Sequence, residues 1–372
     1  MKILFTGGGS GGHFYPLIAI AEEIRRIGTE ERLISPQLFF MAPDPYDERA
    51  LYDNDITFVP VTTGKLRRYL SFKNITDAGK TLYGLISGTI RVFRLFPDVI
   101  VGKGGYGSFP ALFAARLFNI PVLIHESDSV PGRVNRWAGK FARGVALSFP
   151  ETAQYFPESK VAYTGNPIRR DILAQGASVH LGLQGGLPVL LVLGGSLGSV
   201  TLNEVLLPIL PELLERFEVI HQTGQANFAD LTARTGVYLA KHTFKERYHP
   251  FPSLSAPQLA SAFQSATLVV SRAGSTIFEI AAWGKPSILI PITESNGNHQ
   301  RENAYNYARG GGARVIEESN LTSTILLSEI ERIAESSEHL SLMAQKATSF
   351  AKKDAAAVIA REILSLALAH ER

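Results

Sequence analysis

The run Lys2-Ile3-Leu4-Phe5-Thr6-Gly7-Gly8-Gly9-Ser10-Gly11-Gly12-His13 decides how this chain folds. A short apolar strand leads into five glycines in six positions, and Leu17, Ile20, Ala21, Ile24 and Ile27 then recur at helical spacing. A buried parallel strand, a backbone bared of side chains and a helix N-terminus together make a cradle for an anion.

The cradle recurs twice. Asp98-Val99-Ile100-Val101 precedes Gly102-Lys103-Gly104-Gly105-Tyr106-Gly107, and Val189-Leu190-Leu191-Val192-Leu193 precedes Gly194-Gly195-Ser196-Leu197-Gly198. Around the second copy, Val99–Val101 reads as a strand, Ser108–Leu117 as a helix and Val122–Ile124 as the next strand, a complete βαβ unit. The second half repeats the scheme, with strands expected at Val189–Leu193, Val219–Gln222, Leu268–Ser271 and Ser287–Ile290, and helices at Leu202–Phe217 and Thr276–Trp283. Gly165-Asn166-Pro167 and Gln184-Gly185-Gly186 interrupt the pattern and mark a boundary region. Two α/β domains, each doubly wound around a parallel sheet, are therefore expected over 1–164 and 165–349. The alanine- and leucine-rich stretch from Leu340 to His370 reads as helical. It could finish the second domain, or from about 350 to 372 pack back on the first.

With 372 residues and 45% hydrophobic content the chain can bury two cores. The absence of cysteine excludes disulfides, thiolate metal sites and a cysteine nucleophile. Glycine at position 7 comes too early for the apolar core of a signal peptide, and no apolar stretch is long enough to span a bilayer. A net charge of +3 makes no case for nucleic acid. From Lys65 to Phe96, however, Lys65, Arg67, Arg68, Lys73, Arg91 and Arg94 interleave with aromatics and leucines, and Asp77 is the single acid. A core helix with a solvated basic edge would explain this, but the scarcity of acids favours contact with an anionic membrane surface.

Several strand ends carry chemistry. His13 falls at a helix N-terminus, where the dipole disfavours the imidazolium and leaves a neutral base for a sugar hydroxyl; a histidine capping the turn is the plain alternative. Lys103 and Tyr106 could contact a diphosphate or stack on a sugar. His125-Glu126-Ser127-Asp128 closes a strand at the edge where open parallel sheets bind ligands. In the second half, Ser271-Arg272-Ala273-Gly274-Ser275-Thr276 leads into a helix containing Glu279, and Asn296 to Asn303 is a run rich in amides. Gly7, Gly9 and Gly12 also fit a dinucleotide fingerprint, but the run from Leu33 to Ala42 lacks the acid that reading expects.

Taken together these stretches resemble the MurG family of bacterial transferases, which add N-acetylglucosamine to lipid I to make lipid II. The resemblance rests on Gly8-Gly9-Ser10-Gly11-Gly12-His13 with Pro16 and Ala19, Gly104-Gly105-Tyr106 with Pro110, His125-Glu126, Gly165-Asn166-Pro167-Ile168-Arg169, Gly194-Gly195-Ser196 with Gly198, Ser271-Arg272-Ala273-Gly274 with Glu279, and Asn298-His299-Gln300 with Asn303-Ala304. It implies an α/β GT-B fold, two Rossmann-like domains facing a central cleft, with acceptor on the first and UDP-N-acetylglucosamine on the second. It implies His13 as catalytic base and Glu126 as a second catalytic residue. Ser10, Gly11, Gly12, Asp128, Arg169, Ser196, Gly274, Glu279, Gln300 and Asn303 would bind the donor, and Gly104, Gly105, Tyr106 and His125 the acceptor. No metal or cofactor is implied. The enzyme would sit on the cytoplasmic face of the membrane, with lipid I as substrate and other cell-wall synthesis proteins as partners.

The chain departs from the family pattern at Ser127-Asp128, where Gln-Asn is usual, and at Leu197, where glutamine is usual. The stretch from Ser271 to Glu279 is one residue short, and the family's Phe-Ile before the helix at Pro257 is not recognisable. Another GT-B transferase with a different acceptor, a nucleotide-dependent oxidoreductase and a binding module without catalysis are the competing readings.

Overall fold

The computed structural model describes residues 1–64, 73–176, 179–195, 197–293 and 298–370. Lys65, Arg67, Arg68, Ser196, Asn296 and Gly297 thus lie outside the described residues. The chain divides into two compact units, Met1–Arg169 with Lys352–Arg372, and Arg170–Ala351.

In the first unit, β1 (Lys2–Thr6), β2 (Gln37–Ala42), β3 (Ile56–Pro60), β4 (Val99–Gly102), β5 (Val122–Glu126), β6 (Gly144–Leu147) and β7 (Val161–Tyr163) form a parallel sheet in the order β3-β2-β1-β4-β5-β6-β7. Its helices are α1 (Gly11–Glu30), α2 (Glu48–Asp53), α3 (Lys73–Leu95), α4 (Phe109–Leu117) and α5 (Arg133–Ala138). Alternation along β1 serves both faces of the sheet: Ile3 and Phe5 pack with Leu17, Ile20 and Ile24 of α1, while Leu4 packs with Ala111, Leu112 and Ala115 of α4.

The second unit repeats the plan with β8 (Val189–Leu193), β9 (Glu218–Gln222), β10 (Tyr248–Phe251), β11 (Ala266–Ser271), β12 (Ser287–Leu289) and β13 (Ala313–Val315), ordered β10-β9-β8-β11-β12-β13 and again parallel. Around them lie α6 (Arg170–Leu173), α7 (Val200–Leu206), α8 (Leu210–Arg216), α9 (Phe228–Tyr238), α10 (Ala256–Ser265), α11 (Thr276–Ala282), α12 (His299–Arg309), α13 (Ser323–Ala334) and α14 (Ser337–Phe350). The single helix expected over Leu202–Phe217 is instead α7, a 3-10 turn at Leu207–Ile209 and α8. Pro208 and Pro211 lack the N–H that a continuous helix would use, and each sits in the first positions of a new turn.

The helical C-terminal stretch is likewise two elements. Phe350 ends α14 against Phe278 and Tyr307 in the second unit. The last helix, α15 (Ala355–His370), belongs to the first unit, where Ile359, Ile363 and Leu364 join the core under α1 and Arg361 pairs with Glu31 at 2.7 Å.

In each sheet the strand order reverses direction once, at β1/β4 and at β8/β11. Loops leaving the carboxyl ends of strands diverge there and leave room for a ligand. The first two glycine loops follow β1 and β4; the third follows β8, and Arg272-Ala273-Gly274 follows β11.

Candidate active site

In the first unit the two glycine loops are one object. A Cβ on Gly105 would come within 2.7 Å of Gly8 O, and one on Gly107 within 3.2 Å of Gly7 O. Gly9, Gly104 and Gly105 have φ of 92°, 85° and 80°, conformations that favour glycine. Ser108 Oγ donates to Gly105 O at 2.9 Å, so it secures the turn rather than capping α4. Tyr106 is half-buried on the same turn.

Helix α1 starts at Gly11, with the exposed Ser10 in extended backbone at its N-cap making no side-chain capping bond. His13 occupies the first turn. Its Nδ1 lies 3.2 Å from Lys103 O, and because a carbonyl only accepts, Nδ1 carries the proton of the neutral ring and the lone pair lies on Nε2. That nitrogen can take a proton from a hydroxyl, at a helix end whose dipole disfavours the imidazolium.

Three residues expected at the ligand surface are instead interior. Lys103 is 0% exposed, its Nζ has no hydrogen-bond partner among the described residues, and burial pushes its pKa down to about 8 against the opposing pull of Glu126 and Asp128. His125 is 0% exposed. Its Nε2 faces Gly165 O at 3.1 Å and Ser148 Oγ at 3.3 Å, and burial, with the Lys103 charge, holds its pKa well below the usual value. Glu126 is 2% exposed, and its carboxylate accepts from Asp128 N (3.0 Å), Gly132 N (3.1 Å) and Asn135 Nδ2 (2.9 Å). Glu126 therefore organises the loop after β5, and Asp128, half-buried, rides on it. Asn135, missed in the sequence, clamps this loop from α5 and also lies against Gly104. An asparagine nine residues beyond Glu126 in a short polar helix carries no local signal.

Arg169 places its guanidinium 4.4 Å from the centre of the Tyr15 ring. The Tyr15 hydroxyl donates to Asp47 Oδ2 at 3.1 Å, and burial together with that carboxylate pushes its pKa up to about 12. β2 ends at Ala42, so an acid, Asp44, does follow the second strand, two residues beyond the run from Leu33 to Ala42.

In the second unit Gly274 opens the turn before α11 with no atom within 4 Å of an added Cβ, and Glu279 lies in the first turn of that helix, half-buried. Neither α11 nor α12 has a side-chain cap at its N-terminus. Gln300, in the first turn of α12, accepts from Ile292 N at 3.2 Å, whereas Asn303 is 1% exposed and faces inward. Arg272, also absent from the expected site, ties these loops together. Its guanidinium donates to Ser199 Oγ (2.6 Å), Glu318 Oε1 (2.5 Å) and Ile290 O (3.2 Å), joining the loops after β8, β11, β12 and β13. Leu197 is exposed in the third glycine loop.

Residues 3–147 match the glycosyltransferase family 28 N-terminal domain and 189–359 the glycosyltransferase family 28 C-terminal domain. The UDP-N-acetylglucosamine–N-acetylmuramyl-(pentapeptide) pyrophosphoryl-undecaprenol N-acetylglucosamine transferase of Treponema denticola is 35% identical, over 96% of each chain. Enzyme 3 of that name from Bacillus thuringiensis strain Al Hakam is 34% identical over 91% of this chain and 92% of its own. The crystal structure of Acinetobacter baumannii MurG covers 98% of this chain and 99% of its own, with 28% identity and a TM-score of 0.74.

Proposed function

The chain belongs to the MurG family of glycosyltransferases within glycosyltransferase family 28, and from that premise we propose that it transfers N-acetylglucosamine from UDP-N-acetylglucosamine to lipid I, forming lipid II. The observation that carries the chemistry is the His13 Nδ1–Lys103 O contact, which leaves a lone pair on Nε2 at an uncapped helix start beside two fused glycine loops.

His13 Nε2 accepts the proton of the muramyl C4 hydroxyl as its oxygen attacks the anomeric carbon. The bond from that carbon to the diphosphate oxygen breaks, its electron pair leaves with UDP, and the configuration inverts. Ser10, Gly11 and Gly12 approach the donor, and Gly104, Gly105 and Tyr106 the acceptor. Glu126 serves by holding the loop that carries Asp128, with His125 as a neutral buried strut beneath it. In the second unit, Glu279, Gln300 and the bare backbone at Gly274 receive the nucleotide and sugar, with Ser196 on the third glycine loop. The N-termini of α11 and α12, whose N-cap residues Ser275 and Asn298 make no side-chain capping bond among the described residues, turn positive dipoles to the departing diphosphate. Arg169 adds a fixed guanidinium.

Incubating the protein with UDP-N-acetylglucosamine and a short-chain lipid I analogue, and following UDP release and disaccharide product, tests the reading. His13→Ala lowers kcat by about 10²-fold or more and leaves the Kd for the donor within about twofold. An equal loss of donor affinity would make His13 a structural cap.

Among the described residues no helix is long and apolar enough to cross a membrane. On α3, though, Leu82, Ile86, Ile90 and Phe93 recur on one face and are exposed, with Tyr83 and Arg94 nearest to it, while Lys80 and Arg91 lie on another face and line a cavity with Tyr83, Ser87, Val61 and Thr62. An exposed apolar stripe on a helix that carries several cations suits an anionic bilayer surface, and this supports peripheral attachment at the cytoplasmic face. Replacing Ile86 and Phe93 together by serine weakens binding to anionic vesicles about tenfold and spares folding, since both are exposed. Unchanged binding would return the stripe to an ordinary helix face.

A further inference from the structure

Lys103 follows β4 directly, one residue past the pairs Thr6↔Gly102 and Gly102↔Ile124, and so lies where the loops from β1, β4 and β5 begin. Its backbone is tied on both sides: its N–H donates to Thr6 O at 2.9 Å and its carbonyl accepts from His13 Nδ1. The side chain has no such ties. It is fully buried, and its ammonium, with three donors to satisfy, has no acceptor among the described residues. A buried charge without hydrogen bonds persists only inside a local charge balance.

The balancing groups are Glu126 first and Asp128 second. Asn135 fixes their position independently of charge, because the side-chain amide that donates to Glu126 Oε2 also lies where a Cβ on Gly104, the residue after Lys103, would come within 2.8 Å. All three groups on the Glu126 carboxylate are N–H donors, and the ionised form accepts from them most strongly. Burial and the like charge of Asp128 both favour protonation of Glu126, and Lys103 opposes them. The other titratable groups close by are His13 on α1 and His125 on β5, the latter held neutral.

We propose that Lys103 is a positioning residue: its buried ammonium keeps the Glu126 carboxylate ionised, and that carboxylate holds the 127–132 loop, Asp128 included, beside the first two glycine loops. The consequence for catalysis rests on the transferase reading; the consequence for the loop does not. Asp128 then serves as part of a charge balance with Lys103, a second role for the carboxylate that stands where the family has an amide.

The test is Lys103→Met, which keeps the side-chain length and removes the charge. Glu126 then takes up a proton at higher pH than in the wild type, because burial and Asp128 are no longer opposed. Amide hydrogen-exchange protection at Asp128 and Gly132 falls about tenfold or more at the acid end of a pH series and returns as pH rises and Glu126 ionises, with kcat/KM for the transfer following the same course. The wild type keeps that protection throughout. Adding Asp128→Asn removes the like charge and moves the recovery of protection to lower pH. Glu126→Gln in the unaltered background, a mimic of the protonated carboxyl, loosens the same two amides at every pH. Unchanged protection in Lys103→Met, loss that no pH restores, or retained protection in Glu126→Gln overturns the proposal. A wild type without transferase activity would sink the functional reading and leave the exchange result to decide Lys103 by itself.

Discussion

Lys103 and Arg272 occupy equivalent places in the two sheets. Each is the first residue past the strand beyond the reversal of strand order, β4 in one unit and β11 in the other, and each is buried. Their surroundings are opposite. Both terminal nitrogens of Arg272 are engaged, by a hydroxyl, a carboxylate and a carbonyl from three other segments, whereas the Lys103 ammonium has carboxylates nearby and no hydrogen bond among the described residues. A planar fork can brace several loops at once; a point charge can bias a proton. The same topological position thus supplies architecture in one unit and electrostatic control in the other.

The largest effect that would break this comparison is at Arg272. Arg272→Ala strands Glu318 and frees three loops, and costs about 4 kcal/mol in denaturant unfolding of the second unit. Arg272→Lys recovers only part of this, because one ammonium cannot reach Ser199, Glu318 and Ile290 together. Full recovery by lysine would mean that charge alone matters there, and the contrast with Lys103 would dissolve.

The sequence made the repeats of strand, glycine turn and helix plain, because β8 is a continuous apolar run and α1 keeps its period through twenty residues. Edge strands were illegible. β10 is Tyr248-His249-Pro250-Phe251, and a proline tolerated only at an edge makes the run read as a loop; β13 is three residues long. His13 could be found because its helix start and its glycines are contiguous in the chain. The burial of Lys103 could not, since it depends on Glu126 and Asn135 from later segments. In a glycine loop an accessible lysine and a buried one look alike. Arg272 was quoted within its motif, but nothing local says that Ser199 and Glu318 come to meet it.

A second, smaller effect separates the loops themselves. Gly105 combines φ 80° and ψ 163° with the close approach to Gly8 O, so Gly105→Ala incurs both a backbone penalty and a clash, about 3 kcal/mol together. Gly195, with φ 86° but no atom within 4 Å of an added Cβ, bears only the backbone penalty, and Gly195→Ala costs about 1 kcal/mol. Thermal unfolding of the two variants checks this. Equal losses would mean that the first two loops are not fused as described.

The smallest effect lies at two of the serine N-caps, Ser199 of α7 and Ser10 of α1. Ser199 Oγ accepts from Leu202 N at 3.2 Å and from Arg272, so Ser199→Ala costs about 1 kcal/mol of stability. Ser10 makes no capping bond, so Ser10→Ala shifts stability by only a few tenths of a kcal/mol, roughly the scale of an ordinary surface change. If the open start of α1 is kept for the donor, the same substitution nonetheless weakens UDP-N-acetylglucosamine binding. A cap left unused by the helix is then a hydroxyl kept for the ligand, and loss of donor affinity without loss of stability is its signature.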